Sequence, residues 1–121
     1  MRILVVDDNP VNIEFFRAVL EGDGHQVTVA RDGAAGLSRW LEDSFDLMIL
    51  DIQLPRLDGY SVCRMLRDRG VDGPILGLSS SAMPSQVERG MEAGFDAYLT
   101  KPISPAELRE AVREHARRDG D

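Results

Sequence analysis

Phe45-Asp46-Leu47-Met48-Ile49-Leu50-Asp51 is an almost unbroken apolar run that ends on a carboxylate. Its length suits a strand and is too short for a buried helix. Nearly continuous apolar character is what a strand shows when both of its faces are covered, as in a parallel sheet. The flanking segments agree: a helical pattern lies on either side, over residues 33–42 and 59–69.

The alternation extends in both directions. Residues 2–6 read as a buried strand, too short and too β-branched for a helix. Asn9 offers an N-cap, with Pro10 in the first helical position, where its missing N–H costs nothing. Ile13, Phe16 and Leu20 fall at helical spacing, and Gly22 and Gly24 stop that helix. A second strand covers 26–30. In the helix at 59–69, Val62, Met65 and Leu66 face inward. A strand over 74–79, a helix over 84–93 capped by Gly94 and a strand over 96–100 follow. Ser104-Pro105-Ala106-Glu107 is a capping box with Pro at its first helical position, opening a last helix that runs to about Arg117. Strict strand–helix alternation predicts an α/β fold, a doubly wound parallel sheet with helices on both faces and right-handed crossovers. Of the two strand orders that suit five strands, the flavodoxin-like 2-1-3-4-5 is the commoner at this size. The 121 residues suit one domain, ordered over about 2–117 with a polar tail at 118–121.

Composition removes several function classes. A net charge of −7 argues against binding nucleic acid, whose phosphates demand clustered cations. Arg113, Arg117 and Arg118 are interleaved with Glu110, Glu114 and Asp119, as on the solvated last turns of a helix. No apolar run approaches a membrane span. Met1 leads straight into the first strand without a signal peptide, as at a native N-terminus. A single cysteine, Cys63, precludes an internal disulfide and fits a reducing cytoplasm. Of the 14 cations, only Lys101 is lysine, which points to a specific need at that position.

In a doubly wound sheet, ligands sit at the carboxyl ends of the strands, beside the switch point between the first and third. There the first strand delivers Asp7-Asp8, the third Asp51, the fourth Ser79 and the fifth Thr100-Lys101. Neighbouring strands lie roughly 4.8 Å apart, so Asp7, Asp8 and Asp51 should converge. Carboxylates that close raise one another's proton affinity, and a divalent cation relieves the repulsion. An oxygen-only cluster suits Mg²⁺, with Mn²⁺ as a substitute, better than zinc. Lys101 supplies a compact positive charge and Ser79 a hydroxyl donor. These are the parts that stabilise a phosphoryl group in transit. A carboxylate can itself accept the group as an acyl phosphate. Asp51, central between the acidic pair and Ser79/Lys101, is the candidate. Asp7 and Asp8 then hold the metal, with the backbone carbonyl of Gln53 as a third protein ligand.

From Arg2 to Arg117 the chain resembles the receiver domain of two-component response regulators. The segments that carry the resemblance are Leu4-Val5-Val6-Asp7-Asp8-Asn9, Asp51-Ile52-Gln53-Leu54-Pro55-Arg56-Leu57-Asp58-Gly59, Pro74-Ile75-Leu76-Gly77-Leu78-Ser79 and Ala93-Gly94-Phe95-Asp96-Ala97-Tyr98-Leu99-Thr100-Lys101-Pro102. The resemblance implies Asp51 as phosphoacceptor, Asp7 and Asp8 at the Mg²⁺ site and Lys101 as counter-ion. It implies Ser79 and Tyr98 as a switch pair that remodels the face made by the fourth helix, fifth strand and fifth helix. It further implies a cis bond before Pro102 and a phosphohistidine donor on a histidine kinase or phosphotransfer protein. A downstream protein target is expected to read the state, with the chain as a monomer or a phosphorylation-dependent dimer. Ser79 stands where Thr is commoner, Ser80 where a small apolar residue is, and Leu54 where Met is frequent. Asn9 with Asn12, and Ala82-Met83, look more like receivers of phosphorelays and hybrid kinases than like those fused to DNA-binding domains.

Rival classes fit less well. A serine hydrolase wants Gly-x-Ser-x-Gly, and Gly77-Leu78-Ser79-Ser80-Ser81 lacks the second glycine. A haloacid-dehalogenase-like phosphatase also uses an Asp nucleophile, but with a second Asp where this chain has Gln53. A degenerate receiver that only binds partners would not need all five reactive positions to carry usable groups. The remaining features read as structural: Ser80 and Ser81 a plain polar loop, Gly59 a turn, Trp40 partial core, Cys63 inert packing, and His25 and His115 remote from the strand ends.

Overall fold

Each apolar run of the sequence becomes a strand and each amphipathic stretch a helix. The computed structural model describes residues 1–116. Along the chain come β1 (Arg2–Val6), α1 (Pro10–Gly22), β2 (Gln26–Ala30), α2 (Gly33–Glu42), β3 (Leu47–Asp51), α3 (Gly59–Asp68), β4 (Ile75–Ser79), α4 (Pro84–Ala93), β5 (Ala97–Thr100) and α5 (Pro105–His115). The strands form one parallel sheet in the order β2-β1-β3-β4-β5, the expected flavodoxin-like arrangement.

Strand alternation divides the core into two layers. Ile3, Val5, Leu47, Ile49, Leu76 and Leu78 pack with Phe16 and Leu20 of α1 and Leu108 and Val112 of α5. Leu4, Val6, Met48, Leu50 and Ile75 pack with Trp40 of α2, Val62 and Leu66 of α3 and Ala93 of α4. Every residue of β3 is therefore buried, which is why its sequence shows no alternation. Truncating Ile49 or Leu50 to alanine, both fully buried, costs about 2–5 kcal/mol.

The helix caps follow the expected chemistry. Asn9 accepts hydrogen bonds from the Val11 and Asn12 N–H groups. Ser104 and Glu107 form the reciprocal capping box. Gly94 takes the left-handed conformation at φ 112°, its N–H bonding back to Gly90 and Met91, a conformation that favours glycine.

Several edges differ from the sequence reading. β3 begins at Leu47 because Phe45 stacks on Trp40, 5.8 Å between centroids, while the Asp46 carboxylate accepts the Arg2 N–H at 2.7 Å. β4 begins at Ile75 because Pro74 has no N–H to offer, although its carbonyl still accepts from Met48. β5 begins at Ala97 because the Asp96 carboxylate is turned to the Ile75 N–H and Arg67. In α3 the inward positions are Val62, Cys63 and Leu66; Met65, expected inward, is 37% exposed. Gly22 ends α1 within the helix, with Asp23 as C-cap. Gly59 serves close approach rather than a turn: a Cβ there would lie 2.7 Å from the Asp51 carbonyl oxygen. α5 ends at His115, and the expected end near Arg117 and the tail at 118–121 lie outside the described residues.

Candidate functional site

The carboxyl ends of β1 and β3 adjoin in the sheet, so the residues that follow them meet. Asp7, Asp8 and Asp51 each place a carboxylate oxygen within 4.8 Å of the others, and they are the only cluster of this kind among the described residues. Asp7 and Asp51 are buried, at 1% and 5% exposure, whereas Asp8 faces solvent. The β4–β5 pairing carries Lys101 to the same edge, its N–H bonding the Ser79 carbonyl. From there its ammonium donates to Asp51 Oδ2 at 2.8 Å and lies 3.9 Å from Asp7 Oδ2. The Lys101–Pro102 bond is cis, as the resemblance implies.

Two backbone N–H groups and the Asn12 side-chain amide fix the acids. The Asn9 N–H donates to Asp7 Oδ1 at 2.9 Å and the Asn12 amide to Asp7 Oδ2 at 3.3 Å. The Gln53 N–H donates to Asp51 Oδ1 at 3.0 Å. Asp7 holds its proton above the ordinary carboxylate range, chiefly because it is buried; the Asn9 N–H opposes this, Asp51 adds to it, and Lys101 and Asn12 oppose it. Two buried carboxylates with one ammonium between them are short of positive charge, the condition a divalent cation corrects.

Ser79 is 3% exposed at the end of β4, and its hydroxyl oxygen accepts the Ser81 N–H at 3.1 Å. The Tyr98 hydroxyl donates to the Ser81 carbonyl at 2.8 Å. Both residues of the expected switch pair therefore meet on the backbone of Ser81, which the sequence offered only as a plain polar loop. Tyr98 lies against α4 because position 90 is glycine: a Cβ there would come within 2.9 Å of the Tyr98 and Phe95 rings.

A cleft of about 540 Å³ opens beside these groups, lined by the strand-end residues Asp8, Gln53 and Ser79 and by the helix residues Tyr60, Gln86 and Arg89. Sequence reasoning missed Tyr60 and Arg89, because nothing in their local spacing marks two helices as sharing a cleft. The loop from β3 to α3 carries backbone strain: Arg56 has φ 70°, and the Leu57 N–H bonds the Pro55 carbonyl around it at 2.8 Å. Gln53, Ser79, Lys101 and the acidic cluster stand together at one edge; His25 and Cys63 do not join them, His25 contacting the Met1 amino group and Cys63 lying in the core. Burial pushes the Cys63 thiol up to about 11.

The family described as "Response regulator receiver domain" matches residues 3–113. Response regulator MprA of Mycobacterium avium is 43% identical over 118 residues, which are 98% of this chain and 52% of that protein. The chain thus spans about half the length of the curated relatives it matches. Among solved structures, the receiver domain of the sensor histidine kinase PA1611 from Pseudomonas aeruginosa is 35% identical with a TM-score of 0.87, over 94% of this chain and 95% of that one. A magnesium ion is coordinated in that protein's active-site cleft. The chemotaxis protein CheY4 of Vibrio cholerae is 26% identical with a TM-score of 0.88, over 94% of this chain and 97% of that one.

Proposed function

Because this chain belongs to the response regulator receiver family of two-component signalling domains, we propose that Asp51 accepts a phosphoryl group from a phosphohistidine. The donor is a histidine kinase or a histidine phosphotransfer protein. The observation that carries this reading is the buried Asp51 carboxylate with Lys101 at 2.8 Å and two further carboxylates within 4.8 Å. An Asp51 oxygen forms the bond to phosphorus as the nitrogen–phosphorus bond breaks, and its electron pair stays with the imidazole. The Gln53 N–H and Lys101 hold the Asp51 carboxylate in one orientation, so little reorganisation is needed on attack. Lys101, three-quarters buried, offsets charge on the phosphoryl oxygens where screening is weak.

Asp7, Asp8, Asp51 and the Gln53 carbonyl would hold Mg²⁺ or Mn²⁺, and an oxygen-only donor set fits either ion. When bound, the ion neutralises negative charge shared between the acids and the phosphoryl group. Ser79 can donate its hydroxyl proton to a phosphoryl oxygen while still accepting the Ser81 N–H. Any shift of Ser79 then pulls on the peptide that also anchors Tyr98, and the face formed by α4, β5 and α5 changes with it. A downstream protein, or a second copy of the chain, reads that face in the cytoplasm. Neither nucleic acid nor membrane is a direct partner in this reading.

Incubation with a phosphohistidine-bearing phosphotransfer protein tests it. Label should move to wild type when Mg²⁺ is present and not to Asp51→Asn. Equal labelling of the two proteins would place the acceptor elsewhere, and no labelling of wild type would leave a module that only binds partners.

A further inference from the structure

Among the described residues Arg89 is the only cation lining the cleft beside Asp51. Its guanidinium carbon lies 4.1 Å from the centroid of the Tyr60 ring. Tyr60 is held in turn by its hydroxyl, which donates to the Gln86 carbonyl at 3.3 Å, one turn before Arg89 on α4. Among the described residues Arg89 forms no ion pair, whereas Lys101, the cation in contact with the acids, is taken up by Asp51. A guanidinium held by a ring stack and left without a carboxylate keeps its donors for an anion. A cleft of about 540 Å³ has room for a small molecule as well as for the phosphoryl group.

We infer that Arg89 binds the acyl end of a small acyl-phosphate donor and so makes acyl phosphates favoured over small-molecule phosphoramidates, which reach the site without a donor protein. The inference rests on the reading of Asp51 as phosphoacceptor. In the reaction an Asp51 oxygen bonds to phosphorus, and the bond from phosphorus to the bridging acyl oxygen breaks. Both electrons go to that oxygen, which leaves as a carboxylate without taking a proton. Negative charge grows on the leaving group, and a guanidinium meets a carboxylate in paired hydrogen bonds. A phosphoramidate leaves instead as an amine that takes up a proton, and offers Arg89 no anion. Arg89 is thus a specificity-determining residue, distinct from the groups that hold the phosphoryl oxygens.

The test compares initial rates of phosphorylation by acetyl phosphate and by phosphoramidate, with Mg²⁺, in wild type, Arg89→Met and Arg89→Lys. Methionine keeps the side-chain packing on Tyr60 and removes the charge. The slope of rate against acetyl phosphate should fall roughly tenfold in Arg89→Met, the size of one charge-assisted hydrogen bond. The phosphoramidate slope should stay unchanged, and Arg89→Lys should recover part of the loss. Equal losses with both donors, or no loss with either, overturn the inference while leaving Asp51 as acceptor. Failure of wild type to take a phosphoryl group from either donor overturns the Asp51 reading, and this inference with it.

Discussion

Replacing Asp7 with asparagine should make the metal-free protein more stable, although Asp7 is 1% exposed and fully hydrogen-bonded. The Asp51 carboxylate lies within 4.8 Å of Asp7, which at an effective dielectric near 20 is a repulsion of about 3 kcal/mol. Lys101, at 3.9 Å, returns an attraction of about 4 kcal/mol on the same scale. Lys101 is a quarter exposed, and solvent screening reduces its share, so the two roughly cancel. What remains is the cost of burying the Asp7 charge and the weaker push of Asp8, both removed by asparagine. Asparagine still accepts the Asn9 N–H, but its amide faces the Asn12 amide and loses that bond. The net expectation is a gain of about 1 kcal/mol, or roughly 4 °C in Tm. Mg²⁺ should reverse the order, because a ligand held by the native state adds about 1.4 kcal/mol at tenfold its Kd, and Asp7→Asn gives up most of that. Urea unfolding in EDTA and in Mg²⁺ measures all four values. A variant less stable than wild type in EDTA, or one that gains as much from Mg²⁺, would refute a charge-crowded metal site.

Other consequences follow from single contacts. Tyr98→Phe removes the hydroxyl bonded to Ser81 and should cost about 0.5–1.5 kcal/mol in stability while leaving Mg²⁺-dependent phosphorylation of Asp51 intact; loss of phosphorylation would place Tyr98 in the chemistry. Gly33→Ala should unfold the protein or cost more than about 3 kcal/mol, because its Cβ would lie 1.8 Å from the Leu57 carbonyl oxygen. Gly22→Ala, with nothing within 4 Å, should gain up to about 1 kcal/mol, so the pair separates crowding from helix propensity in one chemical-denaturation series. Cys63 should resist a thiol reagent at pH 8 in the native protein and react once urea unfolds it, since burial keeps its thiol protonated up to about 11; rapid native labelling would contradict its burial.

The fold was legible because strand-sized apolar runs and caps such as Asn9 and Ser104 are local signals, and strict alternation leaves few topologies. The acidic cluster was legible for a related reason: a parallel sheet delivers all its strand ends to one edge, so Asp7, Asp8, Asp51 and Lys101 could be placed together without knowing a single distance. What escaped depends on contacts between distant segments. Met65 and Cys63 are both candidates for the buried side of α3, with only one residue between them, and packing on the sheet selects the smaller. Ser81 looked like an ordinary loop residue because its role is to offer an N–H to Ser79 and a carbonyl to Tyr98, groups every residue has. Gly33 and Gly59 matter through neighbours in the β3–α3 loop and at the end of β3, not through their own conformation. Arg89 and Tyr60 come together only when α4 packs beside α3.

Mass spectrometry of the intact protein after acetyl phosphate treatment is the most direct measurement, made on wild type and Asp51→Asn, each with Mg²⁺ and with EDTA. Wild type with Mg²⁺ should gain one phosphoryl mass, lost again on hydroxylamine treatment as an acyl phosphate must be, and the other three samples should gain none. A phosphoryl mass on Asp51→Asn equal to that on wild type, or an equal gain in EDTA, would contradict a Mg²⁺-dependent phosphoacceptor at Asp51.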